Sequence, residues 1–323
     1  MHIKLTAAEK TDVGKQREQN EDSVFTRIET LTDGDRGLFI VADGMGGYQA
    51  GEVASKLAVD TISRMMDSFF NPLADESTIE LIPPAVASIT ADVDETIKMP
   101  RKKVKIQEKV ETETQGEIDP AETVKKPQKA IKPQQEITPN ETEALPSIND
   151  RLTEAIQEAN RVILHYGEQQ TNARGMGCTV TMAFIQNEQA YIANVGDSRT
   201  YLLRNGKLDV LTRDHSLVAR LVESKQIEPD DIYSHPQRNL IYRSLGAGRQ
   251  VVEVDVFPTT LQPNDILFLC SDGLWEMVRH QDLLKELSEH SSPQHICDTL
   301  INLANAHGGV DNITAIVVKI NTP

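Results

Sequence analysis

Short apolar runs and stretches with apolar residues every three or four positions alternate along the chain. Residues 3–11 and about 23–30 read as strands. Leu38–Ala42 reads as a third, after a Thr32-Asp33-Gly34-Asp35 turn with the Asp-Gly pair that suits hairpins. Together they predict an antiparallel meander. The run Phe39-Ile40-Val41-Ala42 has the length of a buried strand and stops at Asp43, before the glycine-rich Gly44-Met45-Gly46-Gly47. This pattern predicts a carboxylate at the lip of a sheet. Val53, Leu57, Ala58, Ile62, Met65 and Met66 then recur at helical spacing. A second helix is expected over about 77–97, interrupted by Pro83-Pro84. A third carries Leu152, Ile156, Ala159, Ile163 and Tyr166 and ends near Gly167.

Cys178–Ile185, Ala190–Val195, Thr200–Arg204 and Leu208–Leu211 read as a second meander, with turn residues at Gln186-Asn187-Glu188 and Asn205-Gly206. A helical stretch begins near Ser216, and polar residues 226–239 read as a surface excursion. Val251–Phe257, Ile266–Leu269 and Asn312–Ile320 are expected strands, and 280–289 and 293–306 amphipathic helices. Strand blocks alternating with helix pairs predict an α+β protein in which two sheets pack together with helices on their outer faces.

Composition changes this picture in one place. The segment 99–146 holds six of the fifteen prolines, one glycine, no aromatic residue, and nine basic against nine acidic side chains. It cannot bury enough apolar surface to offset the entropy of ordering, so it reads as a disordered insertion. The part before it has too few strands to close a sheet alone. A single domain over 1–323, interrupted by this Pro/Lys/Glu-rich insertion, is therefore expected.

The insertion's charges cancel, so the formal charge of -16 belongs to the remaining residues. That balance argues against nucleic acid or an anionic membrane as partner, both of which require clustered cations. No signal-peptide core or membrane-length apolar run is present, which predicts a cytoplasmic protein. Cys178, Cys270 and Cys297 are widely spaced and read as small buried hydrophobes. The histidines form no pair at metal-binding spacing; His215 and His235 are assigned structural or surface positions. Trp275 and the stripe Leu283, Leu284, Leu287 read as core.

Four aspartates border apolar strands: Asp43, Asp197, Asp272 and Asp311. Each alone is an ordinary turn former. Several carboxylates at one sheet edge, however, would be costly without a compensating cation. Oxygen-only ligands point to magnesium or manganese over zinc or copper.

The ordered motifs Arg17-x-x-Asn20-Glu21-Asp22-Ser23, Val41-Ala-Asp43-Gly44-Met-Gly-Gly47, Gly177-Cys-Thr179, Asn194-Val-Gly196-Asp197-Ser-Arg199, His235-Pro-x-Arg238-Asn239, Arg243-Ser-Leu245-Gly246, Leu269-Cys-Ser-Asp272-Gly273-Leu-Trp275 and Gly309-Val-Asp311-Asn312 resemble those of metal-dependent protein phosphatases of the protein phosphatase 2C family, bacterial type. The resemblance runs from about residue 8 to 320 and omits only the insertion. It implies a four-layer α-β-β-α sandwich, two mainly antiparallel sheets face to face with helix pairs outside, and a site for two Mn²⁺ or Mg²⁺ ions. By position Asp43 would bridge the ions, Asp272 and Asp311 would complete one site, and the Gly44 carbonyl would serve the other. Asp197 would share a third, weaker ion with Asp272. Glu21 and Asp22 would lie in or near the water shell, Asn312 would support, and Arg17 would grip phosphate through its planar guanidinium.

The implied activity is hydrolysis of phosphoserine and phosphothreonine by a hydroxide bridging the metals, without a covalent enzyme intermediate. Met45 stands where some eukaryotic relatives carry a histidine acid, which leaves a metal-held water to protonate the leaving group. Residues 216–242 match the flap beside the cleft. The implied partners are phosphoproteins and an opposing serine/threonine kinase, with the chain a monomer. Alternatives are a catalytically silent phosphoprotein-binding regulator of the same fold and a structural cation-binding protein. Removing 99–146 should leave turnover of a small phosphoester unchanged; a collapse of the melting transition would show that the insertion is part of the core.

Overall fold

The computed structural model describes residues 2–46, 50–71, 146–289 and 291–322. The helix expected over 77–97 and all of the insertion but Pro146 lie outside the described residues. Sheet one has the strand order β1 (Lys4–Asp12), β11 (Ile313–Asn321), β10 (Ile266–Cys270), β7 (Arg199–Arg204), β8 (Lys207–Val210). Sheet two runs β2 (Asp22–Leu31), β3 (Gly34–Met45), β5 (Val180–Gln186), β6 (Gln189–Val195), β9 (Asp255–Thr260), with the two-residue β4 (Gly177–Cys178) on the end of β3. Every pairing is antiparallel.

The sheets face one another across Leu5, Phe39, Val41, Ile185, Ile192, Leu202, Leu267, Leu269, Ile316 and Val318. Alternate residues of the same strands point outward. Leu38, Ile40 and Ala42 of β3 pack under α1 (Ala50–Met65) and α3 (Ile148–Gln169). The short α2 (Asp67–Phe70) lies between these helices in the chain. Phe268, Cys270, Ala315 and Val317 pack under α6 (His280–Ser288) and α7 (Pro293–Ala306). Strands buried on both faces explain why Phe39–Ala42 and Ile266–Cys270 read as unbroken apolar runs, without the alternation of a half-exposed sheet. The expected α+β, four-layer arrangement is what the chain adopts. Two shorter helices, α4 (Leu217–Glu223) and α5 (Asp272–Trp275), stand at the loop end.

Local signals hold these elements. Ser147 caps α3 by accepting from the Asp150 amide, while the Asp150 carboxylate accepts from the Ser147 amide, a reciprocal box. Among the described residues no helix is long and apolar enough to cross a membrane.

Two expectations about strand partners fail. The first three strands are not a meander, because β1 pairs with β11 in sheet one while β2 and β3 form a hairpin in sheet two. The second meander is likewise split: β5 and β6 belong to sheet two, β7 and β8 to sheet one. Periodicity reports which residues are buried and is silent about which strand lies alongside. β3 is also longer than expected. It continues through Asp43 to Met45, pairing Asp43 with Asp22, Gly44 with Cys178 and Met45 with Gly177.

Candidate active site

The loop ends of the two sheets coincide. Sheet two brings the start of β2 (Asp22) and the end of β3 (Asp43, Gly44) together through the Asp22–Asp43 register. Sheet one brings Cys270, followed by Asp272, against Ala315 of β11, preceded by Asp311 and Asn312. Asp197 lies where the chain passes from β6 of sheet two to β7 of sheet one.

Asp43 and Asp272 are half-buried, and their carboxyls are close enough to hydrogen-bond to each other. Burial first, and then repulsion from neighbouring carboxylates, holds both well above the usual carboxylate range. For Asp43 those neighbours are Asp272, Asp22, Asp197 and Asp311; for Asp272 they are led by Asp197 and Asp311. Asp197 is buried and pushed up to about 7, by burial and then Asp214.

Asp22, the register partner of Asp43, is buried. Its Oδ2 accepts from Oγ of Ser271, just past the end of β10 (2.8 Å), and from Oγ1 of Thr314 in β11 (2.7 Å), so this side chain ties sheet two to the end of sheet one. Among the described residues its Oδ1 has no hydrogen-bond partner. Burial raises it to about 6 despite the two hydroxyls. Glu21 accepts a hydrogen bond from the amide of Gly51, in the first turn of α1, where the helix dipole favours an anion. Burial nonetheless raises its pKa.

Asn312 fixes the entry loop. Its Nδ2 donates to the carbonyls of Val13 (3.0 Å) and Gln19 (2.9 Å), and its Oδ1 accepts from the Glu21 amide (2.8 Å). Arg17 projects from that loop and its Nη2 donates to Asp311 Oδ2 at 2.6 Å. Gly44 is crowded by main chain: a Cβ there would collide with the carbonyl oxygens of Gly51 and Glu21. Its lack of a side chain is thus required by packing around β3, whatever its carbonyl does.

All nine residues singled out from the sequence therefore lie at one end of the fold. Sequence reasoning passed over Ser271 and Thr314, which support Asp22, and Gly51, which supports Glu21. Ser271 sits inside a quoted motif; Thr314 reads as one more strand residue. Trp275 is buried as expected, but its Nε1 also donates to the Asp197 carbonyl (2.9 Å).

Among the described residues no three His, Cys, Asp or Glu side chains are drawn together as a metal cage. The donors nevertheless suit a hard divalent cation. They are all oxygens, two are mutually repelling carboxyls, and Asp22, the register partner of one of them, has a buried Oδ1 with no hydrogen-bond partner among the described residues.

Residues 100–233 match the model of the family described as protein phosphatase 2C. Serine/threonine phosphatase stp of Listeria welshimeri is 34% identical over 314 residues, 97% of this chain and 94% of the relative. The chain belongs to the protein phosphatase 2C family. The crystal structure of the serine/threonine phosphatase Stp1 from Staphylococcus aureus is similar at TM-score 0.69 and 26% identity, covering 100% of this chain and 98% of that one. The catalytic domain of PstP in complex with two manganese ions is similar at TM-score 0.67 and 25% identity, covering 99% of each chain. The family match stops before Asp272 and starts after Asp43; the full-length relatives extend the likeness over both.

In this protein phosphatase 2C chain, crowding of carboxyls has a measurable consequence. Carboxyls whose folded pKa is raised bind more protons folded than unfolded, so they favour folding at low pH and lose that contribution as pH rises through the folded pKa. For Asp22 and Asp197 the loss falls between about pH 4 and 7. His215, with its pKa lowered by burial, acts in the opposite sense below about pH 6.5, one group against the six raised carboxyls Glu21, Asp22, Asp43, Asp197, Asp272 and Glu276. Groups such as Asp67 and Asp298, lowered by their hydrogen bonds to Asn71 and Lys10, are fully charged above about pH 5 and contribute no slope there. The metal-stripped protein should therefore be more stable to urea at pH 5.5 than at pH 7.5, and millimolar Mg²⁺ should remove the difference. Equal urea midpoints in EDTA at the two pH values would contradict the crowding.

Proposed function

We propose that the chain is a single-domain, metal-dependent serine/threonine phosphoprotein phosphatase that opposes a cytoplasmic kinase. The observation that carries this reading is the pairing of Asp43 with Asp272 at the end shared by both sheets, in a chain similar over nearly its whole length to proteins named serine/threonine phosphatases. Asp43 would be the ligand common to two Mn²⁺ or Mg²⁺ ions, with Asp272 and Asp311 on one and the Gly44 carbonyl toward the other. Asp197 would hold a third, weaker ion with Asp272. Such ions, when bound, would supply a water of lowered pKa and polarise the phosphoryl group.

The chain's own groups then have distinct tasks. Arg17, held beside Asp311 by a fixed loop, presents paired N–H donors to phosphoryl oxygens. Asp22 and Glu21 place further negative charge behind the ligands. Asn312 keeps the Arg17 loop and Asp311 in register. His215 is not freely placed to protonate the leaving oxygen: it is buried, with Nδ1 accepting from the Gly196 amide and Nε2 facing Asp255.

Release of phosphate from p-nitrophenyl phosphate and from a phosphothreonine peptide should require Mn²⁺ or Mg²⁺. Asp272→Asn should lower kcat by about 100-fold or more, and Arg17→Ala should act mainly on KM, by about tenfold, as loss of a charge-assisted pair predicts. Undiminished turnover by Asp272→Asn would exclude this mechanism. Tight phosphopeptide binding without turnover by the parent chain would favour a silent regulator.

A further inference from the structure

Between Val195 and Arg199 the chain leaves sheet two and enters sheet one in three residues, one of which is Asp197. Gly196 makes this possible with φ +115°, and a Cβ there would collide with the Thr179 side chain. The turn is tied down on several sides. Thr179 Oγ1 and Ser198 Oγ lie 2.7 Å apart. Trp275, at the end of the helix that Asp272 begins, holds the Asp197 carbonyl. Asn194 Nδ2 donates to the Gly196 carbonyl (3.2 Å), and two further ties come from His215: its Nδ1 accepts from the Gly196 amide (3.0 Å) and its own amide donates to the Gly196 carbonyl (2.9 Å).

The same residue closes the root of the 216–242 excursion. Its carbonyl accepts from the Tyr242 amide (2.9 Å), and next to it the Leu217 amide donates to the Leu240 carbonyl (2.8 Å). Because a main-chain N–H points at Nδ1, the neutral ring carries its proton on Nε2, which donates to Asp255 Oδ2 on β9 (3.2 Å). Arg243 Nη1, 3.0 Å from that nitrogen, donates to the other carboxylate oxygen of Asp255 (2.7 Å). The ring is 1% exposed, so an unmet partner here has no water to replace it.

We propose that His215 is a positioning residue that couples the Asp197 turn to the root of the 216–242 excursion, so that order in one requires order in the other. It rests on the reading of Asp197 as a cation ligand only for its effect on ion binding; the mechanical coupling stands on the hydrogen bonds alone.

Two substitutions separate the two sides of the ring. His215→Asn keeps an acceptor near the Nδ1 position, whereas His215→Gln keeps a donor near Nε2 and leaves the Gly196 amide unpaired. In the full chain, amide hydrogen exchange would be followed at Gly196 and Tyr242, and Mg²⁺ binding by the fluorescence of Trp275, the chain's one tryptophan. His215→Gln should speed exchange at both amides and weaken Mg²⁺ half-saturation, each by about tenfold, while His215→Asn should stay within about threefold of the parent. Equal behaviour of the two variants, or faster exchange at Gly196 without any change at Tyr242, would overturn the coupling. If the parent's Trp275 ignores Mg²⁺ and the parent hydrolyses nothing, the catalytic reading falls, and the exchange rates still decide the coupling.

Discussion

The repulsion between Asp43 and Asp272 is the constraint around which the rest is arranged. Two carboxyls from different sheets meet only if both sheets end at the same level and their main chains approach closely. Close approach is visible at Gly273, where a Cβ would run into the Asn312 carbonyl, and at Gly44. The strongest charged neighbours of this pair are further carboxylates, and the cation that reaches Asp272 is Arg17, at the rim. Such an arrangement works against folding by itself, and in the proposed metal site the same residues that weaken the empty fold would provide the affinity for the cation.

Holding that pair requires uncharged ties across the sheets. Asp22 is the clearest, since its Oδ2 collects hydroxyls from Ser271 and Thr314 and so couples β2 to both β10's end and β11. The Ser271 hydroxyl also accepts from the Thr314 amide (3.0 Å), which makes the contact a small network and not an isolated bond. Packing alone would not set the level at which two sheets end, because an apolar interface tolerates sliding more readily than a directed hydrogen bond.

Much of this was legible in the sequence. The unbroken run Phe39–Ala42 marked a strand covered on both faces, and the stripes in 53–66 and 152–166 marked the helices that cover one of them. Strand partners were not legible, because β1 and β2 look the same whether they pair with each other or with strands three hundred residues away. The extension of β3 to Met45 was hidden by Asp43-Gly44, which has the chemistry of a turn yet pairs as strand. The carboxylates were found through motifs in series. His215 and Trp275 were placed as structural or core residues; their hydrogen bonds to the Gly196–Asp197 main chain depend on a fold-level juxtaposition that no local pattern records.

Arg17 shows how rigidity and exchange divide within one loop. Its main chain is fixed by the double donation of Asn312 and by the amides of Lys15 and Gln16 on the Gly309 carbonyl, at 2.7 and 3.2 Å. Among the described residues its side chain hydrogen-bonds to Asp311, and that pair is open to solvent, with side-chain exposures of 49% and 31%. Exposed pairs of this kind contribute at most about 1 kcal/mol. In the proposed mechanism a divalent cation competing for Asp311 and a phosphate competing for Arg17 would thus meet little resistance, while the loop that carries the guanidinium would not have to move. Charge that changes partners is carried on side chains at the rim, and the hydrogen bonds that fix their origin lie beneath it.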